Sequence, residues 1–504
     1  MKLIIVPARV ALGCLMTLGV ACGDDDGTTT PDAGTATPDT GVTDPDMGVK
    51  EDMGTGPITA PTTFNFQSRF TAGESSVAYS GQVKRHLLIE NIKKYLGGLT
   101  DQTFMNPQTG DVVSALRFFY EFTTAGGDPG DEIGFAPPGM LPATQTLWMD
   151  LGSLSDLKEK FPEFDANFTG NVVGYGDGSL TPEGALLDMF AKVEGLVLDR
   201  FNGNVPLDPS GAAITSVYVA ADGVDYQQLI QKYLLGAVPY SQGTDDYLDD
   251  DTMGKGLLSA NDAASDGRPY TPLEHVWDEG FGYFGAARNF ADYTDDEIAQ
   301  KGGRPEWQGA HDTDASGSID LLSEHVFGHA QNAAKRDRGS SADAMTDFTA
   351  DGFQAFIDGR TLIVNAGGNL DATQLAELQG FRDAAVGAWE KAIAATVVHY
   401  INDTLQDMGK FGTMEYGFLD HAKHWSEMKG FALSLQFNPN HALISAADLQ
   451  SILTAMGDAP VLPNADNAAI EAYRTALNGA KATMQTAYGF DARNMGDAMG
   501  LGGW

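Results

Sequence analysis

Residues 270–285, YTPLEHVWDEGFGYFG, place titratable and bulky apolar groups on different sides of one short helix. Side chains three and four apart share a helix face, so Trp277, Phe281 and Phe284 form an apolar stripe, while His275, Asp278, Glu279 and the side-chain-free Gly282 fall on another arc. A second segment, GFLDHAKHWSEMKGF, brings Asp420, His424 and Glu427 within an arc of about 60°, with His421 about 60° further round. Neutral imidazoles and carboxylates hold first-row transition metals such as iron. Two such helices facing each other inside a bundle would assemble a site from His275, Glu279, Asp420, His424 and Glu427. The bland alternative is a salt-bridged surface pair at 275 and 279, with His421 and His424 as polar positions beside core Trp425 and Met428. Seven of the nine histidines lie between His275 and His424, which makes a shared site worth seeking. His399 reads as a core histidine with one partner, and His325 and His329, four apart, read as surface residues.

The run Asp312-Thr-Asp314-Ala-Ser316-Gly317-Ser318-Ile319-Asp320 matches the first nine positions of an EF-hand-type calcium loop. Oxygen ligands at alternate positions, with Gly at the sharp turn, suit a large hard cation. Ser323 stands where the bidentate Glu belongs, and Glu324 comes one place late. Without calcium, the same residues would make an Asx-rich turn capping a helix from about Asp320.

A zinc peptidase would need three protein ligands, an open position for water and a general base, a role open to Glu279 or Glu427. The two-histidine zinc helix is missing, as are a phosphate loop, a nucleophile elbow and a dinucleotide fingerprint. No residue is therefore assigned as catalytic.

The elements that position these groups are helical. Thr271, Pro272 and Glu274 form a capped start for the first segment. Helices are predicted over 81–95, 182–198, 371–408, 445–456 and 467–488, from apolar residues at three and four spacing and from capping pairs such as Asp371 with Gln374. Strand signals are short, as in Ser216 to Ala220. The expected fold is all-α, a large helical bundle of one body or two packed halves. Long loops at 124–143 and 241–268 are rich in Gly, Pro and Asp, and the second adds carboxylates from Asp245 to Asp251. Trp277-Asp278-Glu279 and Trp425-Ser426-Glu427 echo each other faintly, as a duplicated bundle would.

The N-terminus reads as an address. Lys2 and Arg9 precede an apolar run from Val10 to Ala21, too short to span a bilayer, which ends at Leu18-Gly19-Val20-Ala21-Cys22 in the manner of a lipoprotein signal. Cys22 would carry the lipid, dividing the chain into a signal peptide (1–21), a tether (22–61) and a helical domain (62–504). The tether is Gly, Thr, Pro and Asp, too polar to fold alone. Cys14 and Cys22 are the only cysteines, so the mature domain has no disulfide. The formal net charge is −38, which disfavours nucleic acid and anionic lipid headgroups as partners and favours cations.

On these residues the chain resembles a family of uncharacterised lipoproteins of Gram-negative bacteria related to the imelysins. The resembling segments are Tyr79-Ser80-Gly81-Gln82, His275 through Gly285, the acidic loop to Ser323-Glu324, Gly328-His329 to Asp337, and His424-Trp425-Ser426-Glu427 through Pro439. The imelysin Gly-x-His-x-x-Glu motif falls on Ala422 to Glu427, with Ala422 in place of Gly. The resemblance implies an all-helical protein of the outer envelope, membrane-anchored through lipid, linked to iron uptake and binding a metal or metal-bearing ligand. It also implies the peptidase alternative once assigned to that family. Calcium as a purely structural ion is the third reading.

Overall fold

The computed structural model describes residues 57–100, 106–122, 131–152, 155–164 and 168–504. Within them the fold is all-α, with isolated β-bridges and no strands. Cys14, Cys22 and nearly all of the tether lie outside the described residues. Ile58 already exchanges two hydrogen bonds with the Asn365 side chain (2.7 and 3.0 Å), so ordered contact with the body begins just before the predicted boundary at 62.

The frame is set by α9 (Ala372–Gly409), whose Asp371/Gln374 capping box forms as predicted. Its middle, from Trp389 to Val398, is buried on nearly every side, as a helix wrapped by neighbours must be. Those neighbours are α8 (Phe348–Ala366), α10 (Phe418–Ser434), α7 (Gly328–Asp337) and α12 (Asn467–Tyr488). A second layer comprises α1 (Ser80–Gly97), α4 (Tyr226–Leu235) and α5 (Pro272–Phe284), with α2 (Asp111–Tyr120) against α3 (Pro182–Phe201). The short α6 (Asp295–Ile298) rests on α7, and α11 (Ala446–Met456) pairs with α12. One continuous core holds most of the buried apolar residues, so the two expected halves share an interior.

Two sequence expectations change. The segment 216–220 forms a turn closed by a Val219–Asp225 bridge instead of a strand. The start of the 241–268 loop is wound, because α4 runs on into π-helical turns at Gly236–Tyr240 and Gly243–Tyr247, the first containing Pro239. A proline lacks the N–H that continues an α-helix, and a π turn absorbs the missing bond. Asp245 and Asp249 of the acidic run are consequently buried, and burial pushes Asp249 up to about 7. Among the described residues, no helix is long and apolar enough to cross a membrane.

Candidate functional site

Part of the polar arc of α5 proves to be interior architecture. The Thr271/Glu274 capping box is present, and the stripe of Trp277, Phe281 and Phe284 is fully buried, as the spacing required. Asp278 is fully buried too, and Arg360 of α8 pairs with it at 2.8 Å and with Glu274 at 3.0 Å. Arg69 reaches the same Glu274 oxygen at 3.1 Å. Burial raises Asp278 to about 6, with Arg360 opposing the rise. Gly282 leaves room for Tyr79, since a Cβ there would lie 2.7 Å from the Tyr79 Cβ. His275 stacks on Tyr270 with centroids 4.5 Å apart and sits 3.7 Å from Glu279, whose other oxygen accepts a bond from Gln82 at 2.9 Å.

The two helices expected to share a metal have different main packing partners. α5 packs on α1 and α8, α10 packs on α4 and α9, and both touch the π-wound turn at Gly236–Tyr240. Among the described residues, no cluster of metal-ligand type joins His275 or Glu279 to His424 or Glu427. Asp420, in the first turn of α10, is exposed and lines a shallow surface pocket with Asp208 and Thr215.

On α10, His424 hydrogen-bonds Asp407 at 2.7 Å and lies 3.9 Å from Asp403, which is also 3.4 Å from His399. Burial works against the His424 imidazolium, but Asp407 and Asp403 outweigh it and hold its pKa above the usual value. Glu427 pairs with Lys232 of α4 at 3.2 Å. Against its burial, Lys232 and Lys423 keep Glu427 below the ordinary carboxylate range. His399 therefore belongs to a partly exposed polar cluster with Asp403 and His424, not to the apolar core. His421 is buried, with the Tyr416 hydroxyl 3.1 Å from its Nδ1.

His325 and His329, read from spacing as surface residues, are buried at 5 % and 0 % exposure, because the start of α7 enters the core beside Phe135 and Phe327. Burial depresses each to about 3. As pH falls through 6.5, the unfolded chain protonates His325 first, so its contribution is complete above pH 6.5 and is lost toward about 3. Replacing His325 by Phe removes that penalty. The variant should lose about 2 kcal/mol less stability than the parent between pH 7 and pH 5, measured by denaturant melts at both pH values. Equal losses would contradict a buried, neutral imidazole.

The loop after α6 does converge. Asp312, Asp314 and Glu324 each offer a carboxylate oxygen, all within 4.8 Å of one another, and they form the one such cluster of metal-ligand type among the described residues. Asp312 organises the turn by accepting bonds from the Ser316 and Gly317 N–H groups at 3.0 and 2.8 Å. Gly317 takes φ +85°, where a side chain would strain the backbone. Glu324 closes the loop by accepting from Thr313 at 2.6 Å and from Asp320 N–H at 2.8 Å. The closing acid is thus the late one, and no helix starts at Asp320. That residue caps a turn by accepting from Leu322 N–H (2.9 Å) and the Ser323 hydroxyl (2.6 Å), which carries its carboxylate away from the other three. Ser318 bonds outward to Thr144, and the loop is sewn to 142–145 through Ile319, Asp320 and Leu321. Downstream, Phe327 N–H donates to Gly285 at the end of α5, at 2.7 Å.

Oxygens this close fit around one ion, since calcium–oxygen distances of about 2.3–2.6 Å put two ligands at most about 5 Å apart. The donor set that gathers is all oxygen, three carboxylates. That favours calcium over zinc or copper. Burial raises Glu324 despite its bonds to Thr313 and Asp320, a cost that a bound dication would offset.

The sequence profile of a family described as Domain of unknown function (DUF4856) matches residues 210–305. The match takes in α4, the π-wound turns, α5 and α6, and ends before the acidic loop. No curated protein and no solved structure matches the chain.

Proposed function

We propose that this protein is a calcium-stabilised, non-catalytic binding protein of the bacterial cell envelope, anchored by lipid on Cys22 and related to the imelysins. The observation that carries the calcium reading is the convergence of Asp312, Asp314 and Glu324 on one point of an EF-type loop. The loop joins the ends of α5 and α7 to the segment at 142–145, so an ion there ties three parts of the body together. An ion that binds only the folded state stabilises it by mass action. Adding a chelator to calcium-loaded protein should lower the melting temperature, and excess calcium should restore it; an unchanged melting curve would overturn the reading.

The peptidase alternative finds less support. The histidines near Glu279 and Glu427 pair with carboxylates or stack on aromatic rings, and no His-containing trio of ligand atoms gathers among the described residues. An iron site at the imelysin-like motif would have to draw His424, Asp403 and His399 together from the spacing seen here.

For location, the support is the short apolar run before Cys22 and the acidic tether that follows it. The tether, at about 5–6 Å times the square root of its length, would let the body stand tens of ångströms from the membrane, the outer membrane in this reading. Changing Cys22→Ser should release the protein from membranes or leave its signal uncut. Membrane partitioning of a cleaved Cys22→Ser chain would end the lipoprotein assignment.

A further inference from the structure

Residues 131–148 form a strap beside the calcium loop. Its two ends pair through the Glu132–Leu147 bridge, with Ile133 N–H donating to Thr146 at 2.8 Å and Trp148 N–H to Asp131 at 3.1 Å. This base is anchored in the core, where Ile133 and Trp148 are buried and Trp148 packs on Phe122 with centroids 4.9 Å apart. The tip, 134–145, lies nearer the surface. Met140 and Leu141 are exposed, and the exposed Lys94 donates to the Gly134 carbonyl. Phe135 is half-buried, edge-on to His325 at 5.2 Å and 6.2 Å from Phe327.

The calcium loop clasps this tip. Ile319 N–H donates to Pro142 and Thr144 N–H to Ile319, both at 2.8 Å, and the Thr144 and Ser318 hydroxyls are 2.7 Å apart. The buried Gln145 amide donates to Asp320 at 2.7 Å and accepts from Leu321 N–H at 2.8 Å. Two hydrogen-bond relays connect these clasps to the gathered carboxylates. In one, Glu324 accepts from Asp320 N–H at 2.8 Å, and the Asp320 carboxylate receives Gln145. In the other, Asp312 and Asp314 accept from Ser316 N–H at 3.0 and 2.9 Å. The Ser316 hydroxyl lies 3.3 Å from that of Ser318, the partner of Thr144. Three carboxylates within 4.8 Å of one another repel, so the loop that holds the tip is strained until a cation joins it.

We propose that calcium latches this strap: the ion between Asp312, Asp314 and Glu324 fixes 318–321 and so the tip, and its departure lets the tip lift from His325 and Phe327. The inference rests on the calcium reading and adds a regulatory role to that site, an ion-controlled surface element on a body that stays folded. Segments open locally at lower free energy than the whole fold, and an ion bound only in the latched form suppresses that opening by mass action. The coupling is reciprocal, so a strap that cannot dock must also weaken calcium.

The test is amide hydrogen exchange, read by peptide mass spectrometry on the full chain with saturating calcium and with chelator, beside calorimetric calcium titration. Chelation should speed exchange at 134–145 at least about tenfold and leave the middle of α9 unchanged. Gln145→Ala and Thr144→Val touch no carboxylate of the loop. Each should free the tip even in calcium and weaken calcium by about fivefold or more. Thr144 is exposed, so its variant decides the matter if Gln145→Ala does not fold. Calcium binding with unchanged exchange at 134–145, or a tip equally protected in the variants, overturns the latch alone. Absence of calcium binding overturns the calcium reading and the latch with it.

Discussion

Replacing Arg360 by Met should destabilise the fold by about 3–5 kcal/mol, because it leaves the carboxylates of Glu274 and Asp278 buried without their shared cation. Both acids and the arginine are fully buried. Met retains most of the apolar contact, so the loss reports charge, not volume. Glu274 keeps Arg69, whereas Asp278 keeps only a long contact of 3.3 Å from Ala78 N–H. Asp278 should then carry a pKa above its present value of about 6. A raised carboxylate pKa means that the folded state binds the proton first, so stability recovers as pH falls through that pKa. The defect should accordingly be smaller at pH 5 than at pH 8, and Asp278→Asn added to Arg360→Met should recover part of it. A loss under about 1 kcal/mol at pH 8 in denaturant melts would show that the network is not an energetic keystone.

Gly359→Ala should be nearly as damaging, against the usual sign for a helical glycine. A Cβ at Gly359 would lie 2.0 Å from Cζ2 of Trp277. The indole cannot move aside, being fully buried and tied by its Nε1 to the Phe356 carbonyl at 2.9 Å. Overpacking of this kind costs about 1–3 kcal/mol or more. Gly380 of α9 and Gly479 of α12 have open space where a Cβ would sit, and there Ala should stabilise by about 0.4–1 kcal/mol. Opposite signs at 359 and at 380 or 479 would confirm close packing of α8 on α5, and stabilisation at all three would contradict it.

These two sites show where sequence reading stopped short. The helices that carry their own punctuation were legible: Asp371/Gln374 before α9 and Thr271/Glu274 before α5 both cap as read. α7 was harder, because it buries Asn332, Arg336 and Asp337 along with its alanines and so shows no clean apolar stripe. The polar arc of α5 was visible, but its meaning depends on Arg360, which comes 82 residues after Asp278. A polar face is the same pattern whether it meets solvent, a ligand or a buried counter-charge. The acidic loop was legible in composition and turn chemistry. Its closing acid stands one place later than the EF-hand register, because the 320–324 turn, and not a helix, delivers Glu324.

The claim that calcium belongs in this loop is tested most directly by titrating calcium into chelator-stripped full chain in a calorimeter, beside Asp312→Ala and Glu324→Gln. One calcium should bind per chain, with affinity at least about tenfold weaker in each variant. Magnesium should compete poorly, since it demands a tighter octahedral shell. Absence of binding, or binding of equal strength in both variants, would contradict the account.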